Sequence, residues 1–432
     1  MRLAAFFVFL PLLTWAQNQV PVPNNAGTDP KDRIRTIRDL AKQGEDAIAG
    51  IAAFSKDPVL DVRLEVVKQI DEIGGPKTVD ALVGLAADND PEVQIRATDG
   101  LVNVYLPGYL KTGISRSLSR AGNAVRARFT DTNDQIVDGY VNVPPEVIAA
   151  LGRLVRGGTS FESRANAARA LGILRGRGAL PDLEESLYSK DGQTMYEALV
   201  ALQKIRDPSA GPAASFLLRD LEPRVQIAAL QTVGILRTTE AAAAVRKVLD
   251  DAPSGRLQRE ALTSLAMIAR PEDRDVFLRL LTSRDDNLRA ASAEGLARIK
   301  NPADQTALAQ AFTDERDNNP RLSLAFALVS LGRLEMSDLS PLRYLMNTLN
   351  RTTYRGVTLA FLTELAREQA VRNALYPYLP TATREEKTGL SIVFSRSGGR
   401  DSVPILEGLQ KDADVAVAQE AVRSLRTLEA RL

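Results

Sequence analysis

Residues 90–104 read DPEVQIRATDGLVNV, with Val93, Ala97 and Leu101 four residues apart. Residues i, i+4 and i+8 share one face of an α-helix, so this stretch predicts a helix with an apolar edge and a small residue at its middle. Asp90 and Pro91 mark its start. The carboxylate can cap free N–H groups, and proline suits the first helical position, where no N–H is needed. The template returns in RVQIAALQTVG, residues 224–234, as Val225, Ala229 and Val233, and again as Leu288, Ser292 and Leu296.

Outward from these stretches, the template starts at residues 62, 93, 163, 194, 225, 257, 288, 323, 357, 386 and 417, at intervals of 31, 70, 31, 31, 32, 31, 35, 34, 29 and 31. Self-similarity at a constant period of this size marks a repeat architecture. The third template position is always apolar: Ile70, Leu101, Leu171, Leu202, Val233, Leu265, Leu296, Leu331, Leu365, Phe394 and Leu425. The middle position is alanine at residues 97, 167, 198, 229, 261, 327 and 421, and a small residue there lets a neighbouring helix approach closely. An apolar stripe precedes the template, as in Val79, Leu82, Val83 and Ala86, in Val245, Val248 and Leu249, and in Phe277, Leu280 and Leu281. Asp57-Pro58 and Asn319-Pro320 repeat the start signal of Asp90-Pro91. Two helices of ~12 residues with their turns fill such a period. The expected fold is all-α, a solenoid of about eleven helical hairpins of ~31 residues.

The turn and second helix resemble the HEAT repeat family, especially its short bacterial class of the phycobilin-lyase type. The family pattern, aspartate-proline followed by a valine and then by small and apolar residues four apart, is carried by residues 90–102, and RANAARALG at 164–172 is a second close match. The resemblance covers nearly all of residues 31–432. It implies an armadillo-type superhelix whose concave surface binds another macromolecule. Tetratricopeptide and armadillo repeats have longer periods, and a globular bundle would not keep this register.

The 70-residue interval holds a non-repeat insertion, residues 106–145. Lys111, Arg116, Arg120, Arg126 and Arg128 concentrate positive charge in it, with Tyr105, Tyr109, Phe129 and Tyr140 as aromatic contacts. Ile136 to Val141, with Asp138-Gly139 at its centre, has the form of a tight hairpin. Insertions in solenoids lie on one face and often carry function, so one reading is a protruding partner-binding element. The other is a degenerate repeat or solvated loop. Residues 131–135 lack the central glycine and distal glutamate of a calcium loop. Counting from the template start, position 11 is Arg298, Arg333, Arg367 and Arg396 in consecutive units. They read either as a basic track for an acidic peptide or anionic glycan, or as last-turn cations favoured by the helix dipole and free carbonyls. Glu65, Lys68, Asp99, Arg169, Gln231, Glu260 and Glu294 mix signs and read as a solvated face.

The chain contains no His and no Cys. This removes imidazole bases, thiolate nucleophiles, disulfides and Cys- or His-ligated metals. Within HEAT-like enzymes, deoxyhypusine hydroxylase depends on His-Glu pairs that bind iron, so that activity does not transfer. The phycobilin lyases act in the cytoplasm on a tetrapyrrole, and HEAT-like DNA glycosylases fit neither export nor a mature chain without Trp. A carboxylate-only glycan hydrolase needs two carboxylates facing one cleft, whereas Glu184-Glu185 and Glu385-Glu386 are adjacent in sequence and point apart. Lys+Arg is 55 against Asp+Glu 54, so global charge does not predict a nucleic-acid partner.

MRLAAFFVFLPLLTWA, residues 1–16, has a basic start, a short apolar run and small residues at the cleavage positions, the form of an export signal. The run is shorter than the ~20 residues a membrane span needs. Residues 17–30 read as a flexible leader and 31–432 as the solenoid. No transmembrane segment is expected in the mature chain, and export predicts a periplasmic or extracellular location. The functional expectation is an exported, non-catalytic scaffold without cofactor or metal that binds a protein or peptide, or alternatively a cell-envelope glycan. Trp15 is the only Trp. Protein recovered from the producing cell should therefore begin at Gln17 and give no tryptophan emission, which intact mass and fluorescence would check.

Overall fold

A computed structural model describes residues 28–109, 135–252 and 255–432. Every regular element among them is helical. The template falls on eleven second helices: α3 (Leu60–Ile73), α5 (Pro91–Tyr105), α7 (Phe161–Ile173), α9 (Gly192–Ile205), α10 (Pro223–Ile235), α12 (Arg256–Ile268), α14 (Asp286–Ile299), α16 (Asn318–Ser330), α18 (Thr352–Leu365), α20 (Arg384–Ser397) and α22 (Val415–Glu429). The first helices are α2 (Ile48–Ala52), α4 (Val79–Ala86), α6 (Pro145–Gly157), α8 (Leu180–Ser186), α11 (Ala242–Asp251), α13 (Arg274–Leu280), α15 (Gln305–Asp314), α17 (Pro341–Thr348), α19 (Gln369–Leu375) and α21 (Val403–Leu409). Before α10 the first-helix place is taken by a 3-10 helix, Pro212–Arg219. The chain is an α-solenoid.

The seven template alanines are fully buried, and so is the third position in most units. Successive second helices pack directly on one another. At two equivalent positions the approach leaves room for hydrogen alone. A Cβ on Gly172 would lie 2.8 Å from the Ala201 Cα, and one on Gly234 would lie 2.9 Å from the Ser264 Cα. Val357 departs from the template and is 40% exposed. In α18 the second and third template positions, Phe361 and Leu365, are buried, with Thr358 and Leu362 beside them.

The structure adds one second-type helix that the template skips. α1 (Pro30–Ala41) packs along α3 as α3 packs along α5. Its inward residues Ile34, Ile37 and Leu40 are three apart instead of four. A shared ion pair confirms the equivalence. Arg33 meets Asp57 at 2.7 Å, as Arg63 meets Asp88 at 2.8 Å in the next unit. α1 also begins at Pro30, inside the expected leader, with Asp29 accepting from the Lys31 N–H.

Other expectations are corrected locally. Asp90 caps α5 through the Glu92 and Val93 N–H groups as expected. Asp57 does not cap α3, whose N-cap is Val59; its carboxylate accepts from the Val59 N–H and is held by Arg33. Asn319-Pro320 lies inside α16, which starts after Asp317. No hairpin forms at 136–141. Only the turn is present, with the Val141 N–H bonded to the Asp138 carbonyl, because Val137 spends its N–H on the Ile173 carbonyl at 3.0 Å. Lys111, Arg116, Arg120, Arg126, Arg128 and Phe129, and the expected export signal, lie outside the described residues.

The expected solvated face is in part a buried polar ladder between adjacent second helices. Arg38 donates twice to Glu65, Asn166 donates to Asp99 at 3.0 Å, and Arg169 and Glu197 pair at 2.9 Å with both side chains at 5% exposure or less. Gln231 reaches Glu260 and Ser323 reaches Glu294 in the same way. Buried polar groups so matched resist sliding of one helix along the next, since a slip would leave them unpaired. Glu386 is also buried, in a reciprocal capping box with Thr383.

The close contact of second helices should be intolerant of a single methyl. Gly172→Ala is expected to destabilise by about 1–3 kcal/mol. Gly84→Ala, on an exposed face of α4 with nothing near the new methyl, should stabilise by about 0.5–1 kcal/mol. Urea midpoints of the two variants would check both signs.

Candidate functional site

Second helices end in a recurring way. Arg175, Arg206, Arg237, Ala269 and Lys300 follow α7, α9, α10, α12 and α14, and all five adopt left-handed φ between 53° and 57°. This conformation lets the chain leave the helix while its last carbonyls are satisfied, as when the Arg206 N–H bonds the Leu202 carbonyl at 3.0 Å. A proline follows two residues later at 208, 271 and 302, preventing the helix from resuming. Glycine adopts this φ freely, as Gly74 and Gly332 do after α3 and α16, while a side chain costs about 1 kcal/mol there. Four of the five non-glycine residues are nevertheless Arg or Lys.

These ends converge. The Glu364 carboxylate, at the end of α18, accepts two bonds from Arg298 of α14, at 2.9 and 3.1 Å, and one from Arg237 at 2.5 Å. Lys300 pairs with Glu368. Arg423 of α22 grips Asp138 in the insertion at 2.6 and 3.1 Å, and Gly139 sits against Thr427 of α22 and the Arg175 guanidinium. Contacts between units two, four or more apart mean that the second-helix C-termini lie on the inner rim of a tightly curled superhelix. The C-terminal helix meets the segment that enters α6.

Four guanidiniums on this rim have no ion-pair partner among the described residues: Arg175, Arg206, Arg367 and Arg396. All are exposed to water. Partial burial, then the charges of Arg206 and Arg396, push the Arg175 guanidinium down against the pull of Asp138. Partial burial, then Arg396 and Arg367, do the same to Arg206. The contacts from Arg237 to Glu364 and from Arg423 to Asp138 span the rim on either side of these side chains.

The four arginines expected at position 11 do not behave alike. Arg298 is nearly buried, shared between Glu364 and Glu294 and stacked on Phe326 at 5.2 Å. Arg333 pairs with Glu335. Arg367 and Arg396 face Arg206 across the rim. Of the insertion residues, Tyr140 is 41% exposed and donates to Asp138 at 3.0 Å. The Tyr109 hydroxyl is turned inward over Arg169, and burial pushes it up to about 12. The column at position 13, Arg175, Arg206, Arg237 and Lys300, was not singled out from sequence, although its spacing of 31 residues between the first three was there to be read.

The profile of the HEAT repeats matches residues 25–102, 188–266 and 244–329, just over half of the chain. The chain belongs to the HEAT repeat family. No curated protein matches it in sequence. Among solved structures, this HEAT protein is similar to the complex of CpcE and CpcF of phycocyanin lyase from Nostoc sp. PCC7120, at 20% identity and a TM-score of 0.36 over 61% of this chain and 90% of that one. It is also similar to an engineered protein, at 19% identity and a TM-score of 0.31 over 93% and 96%. Among the described residues of this HEAT chain no helix is long and apolar enough to cross a membrane, and no group of acidic side chains is arranged to hold a metal ion.

The Glu364 clamp should make rim closure sensitive to acid. Burial pushes its carboxyl up, but Arg298 and Arg237 outweigh this and hold it below the ordinary glutamate value of 4.5. As pH falls past that value the unfolded chain takes up the proton first, so the clamp's stabilisation is present above it and lost below. Glu294 is pushed the other way by burial, so the comparison is best made through Glu364→Gln. That variant should have the lower urea midpoint at about pH 6, and the difference should shrink as pH falls below the ordinary glutamate value.

Proposed function

We propose that this HEAT-repeat protein is an exported, non-catalytic scaffold that holds a protein or peptide partner on the inner rim of its superhelix. The observation that carries the proposal is the convergence of exposed guanidiniums without carboxylate partners on a concave surface. Buried helix contacts and internal ion pairs account for the other repeat-to-repeat positions, while Arg175, Arg206, Arg367 and Arg396 are left facing water. Arginine forks suit bidentate recognition of carboxylates and are favoured at binding surfaces. Residues 1–16 support export, and the absence of His and Cys from the whole chain supports a binding role over the common catalytic chemistries. The insertion at 106–145 is a second contact element beside the rim, with Tyr140 at its described end.

A crosslinking pull-down from the envelope fraction, comparing the native chain with Arg367→Ala/Arg396→Ala and with a chain lacking residues 110–134, tests this. The native chain should retain one protein saturably and the double variant should lose it. Loss with the deletion as well would assign the insertion its share. Retention that survives protease digestion of the fraction would point to a glycan ligand, and the lack of any saturable ligand to a spacer. Either result would overturn the proposal.

A further inference from the structure

We infer that Arg175, Arg206, Arg367 and Arg396 form a single anion site that takes an acidic peptide segment, its clustered side-chain carboxylates lying across the inner rim. This inference rests on the rim as the partner surface and names the chemistry of what binds there.

Contacts on either side bracket the site. On one side Arg237 is bonded to Glu364, three residues before Arg367. On the other, a Cβ placed on Gly139 would lie 3.6 Å from the Thr427 methyl and 4.0 Å from the Arg175 guanidinium. The end of α9 lies between those of α7 and α10 on one wall, and α20 lies between α18 and α22 on the facing wall. Arg206 and Arg396 are therefore opposed, with Arg175 and Arg367 beside them. Asp138, at the edge of the group, pulls on Arg175 and is already held by Arg423. Four like charges gathered in a concavity repel one another, and an anion relieves that repulsion.

The backbone argues against a purely local role. A cation can serve a helix end from within the last turn, as Arg298 and Arg396 are placed to do. Arg175 and Arg206 instead sit just past the last turn, at left-handed φ that glycine could adopt without strain. Ala269 holds the same conformation with no polar side chain, so the backbone at this position does not itself require a cation.

The chain itself shows which anion the rim accepts. Glu364 at the end of α18 and Glu368 in the turn that follows, four residues apart, bridge Arg237, Arg298 and Lys300 from units two and four away. Side-chain carboxylates at peptide spacing thus already satisfy three of the rim cations, and a segment carrying the same spacing would satisfy the four that are open.

The test measures binding of an oligoglutamate peptide, an oligolysine peptide and polygalacturonate to the full chain and to Arg206→Gly. Glycine suits this φ, so the variant should melt at the native temperature or above it. Oligoglutamate should bind the native chain saturably, raise its melting temperature, and weaken with salt. Its affinity for Arg206→Gly should be lower by about tenfold or more, and oligolysine should not bind. Equal affinity for both proteins, no oligoglutamate binding, or tighter binding of polygalacturonate that displaces the peptide would each overturn the assignment. An envelope protein retained equally by the native chain and by Arg206→Gly would remove this acidic-segment site while leaving the scaffold reading in place.

Discussion

Successive second helices approach so closely that a methyl group cannot be added at Gly172 or Gly234, and the architecture depends on that spacing. The buried alanines of α5, α7, α9, α10, α12, α16 and α22 hold the same line of contact. First helices in adjacent units touch each other much less than second helices do. Each hairpin is therefore a wedge, narrow on the side of its second helix. A stack of wedges bends toward the narrow side, and enough of them bring the last helix back to the insertion.

Polar groups then fix how the wedges register. The ladder from Arg38–Glu65 through Asp99–Asn166 and Arg169–Glu197 to Glu294–Ser323 runs where the narrow sides meet. Outer pairs such as Arg289–Glu315 at 2.8 Å and Arg372–Asp401 at 2.8 Å tie each unit to the next at its wider parts. Partners 24 to 30 residues apart recur because each unit repeats the chemistry of the previous one.

Bending also gathers the C-termini of the second helices, and with them the negative ends of their dipoles. Cations in the terminal turns offset that potential. On the wall from Arg237 to Lys300 they are answered by Glu364 and Glu368, and the rim is closed by its own side chains. Between Arg175 and Arg396 no such answer exists among the described residues. The two halves of one rim differ in this respect: one is clamped by its own carboxylates and the other is left facing water.

Sequence alone determined the fold class and the register of the eleven second helices, because a four-residue apolar spacing with alanine at its centre can be buried in only one way when it returns every 31 residues. It missed α1, whose inward residues are three apart. It misjudged Glu65, Asp99 and Arg169 as solvated, because a polar residue on a helix reveals nothing of the matching group 27 or more residues away that buries it. Position 11 was legible as a run of arginines, yet Arg298 and Arg396 have opposite fates: one is closed by Glu364 and the other faces Arg206. Only the tertiary structure decided that. Superhelical curvature sets which units face each other across the rim, and it arises from small differences in packing summed over many units, which no single repeat displays.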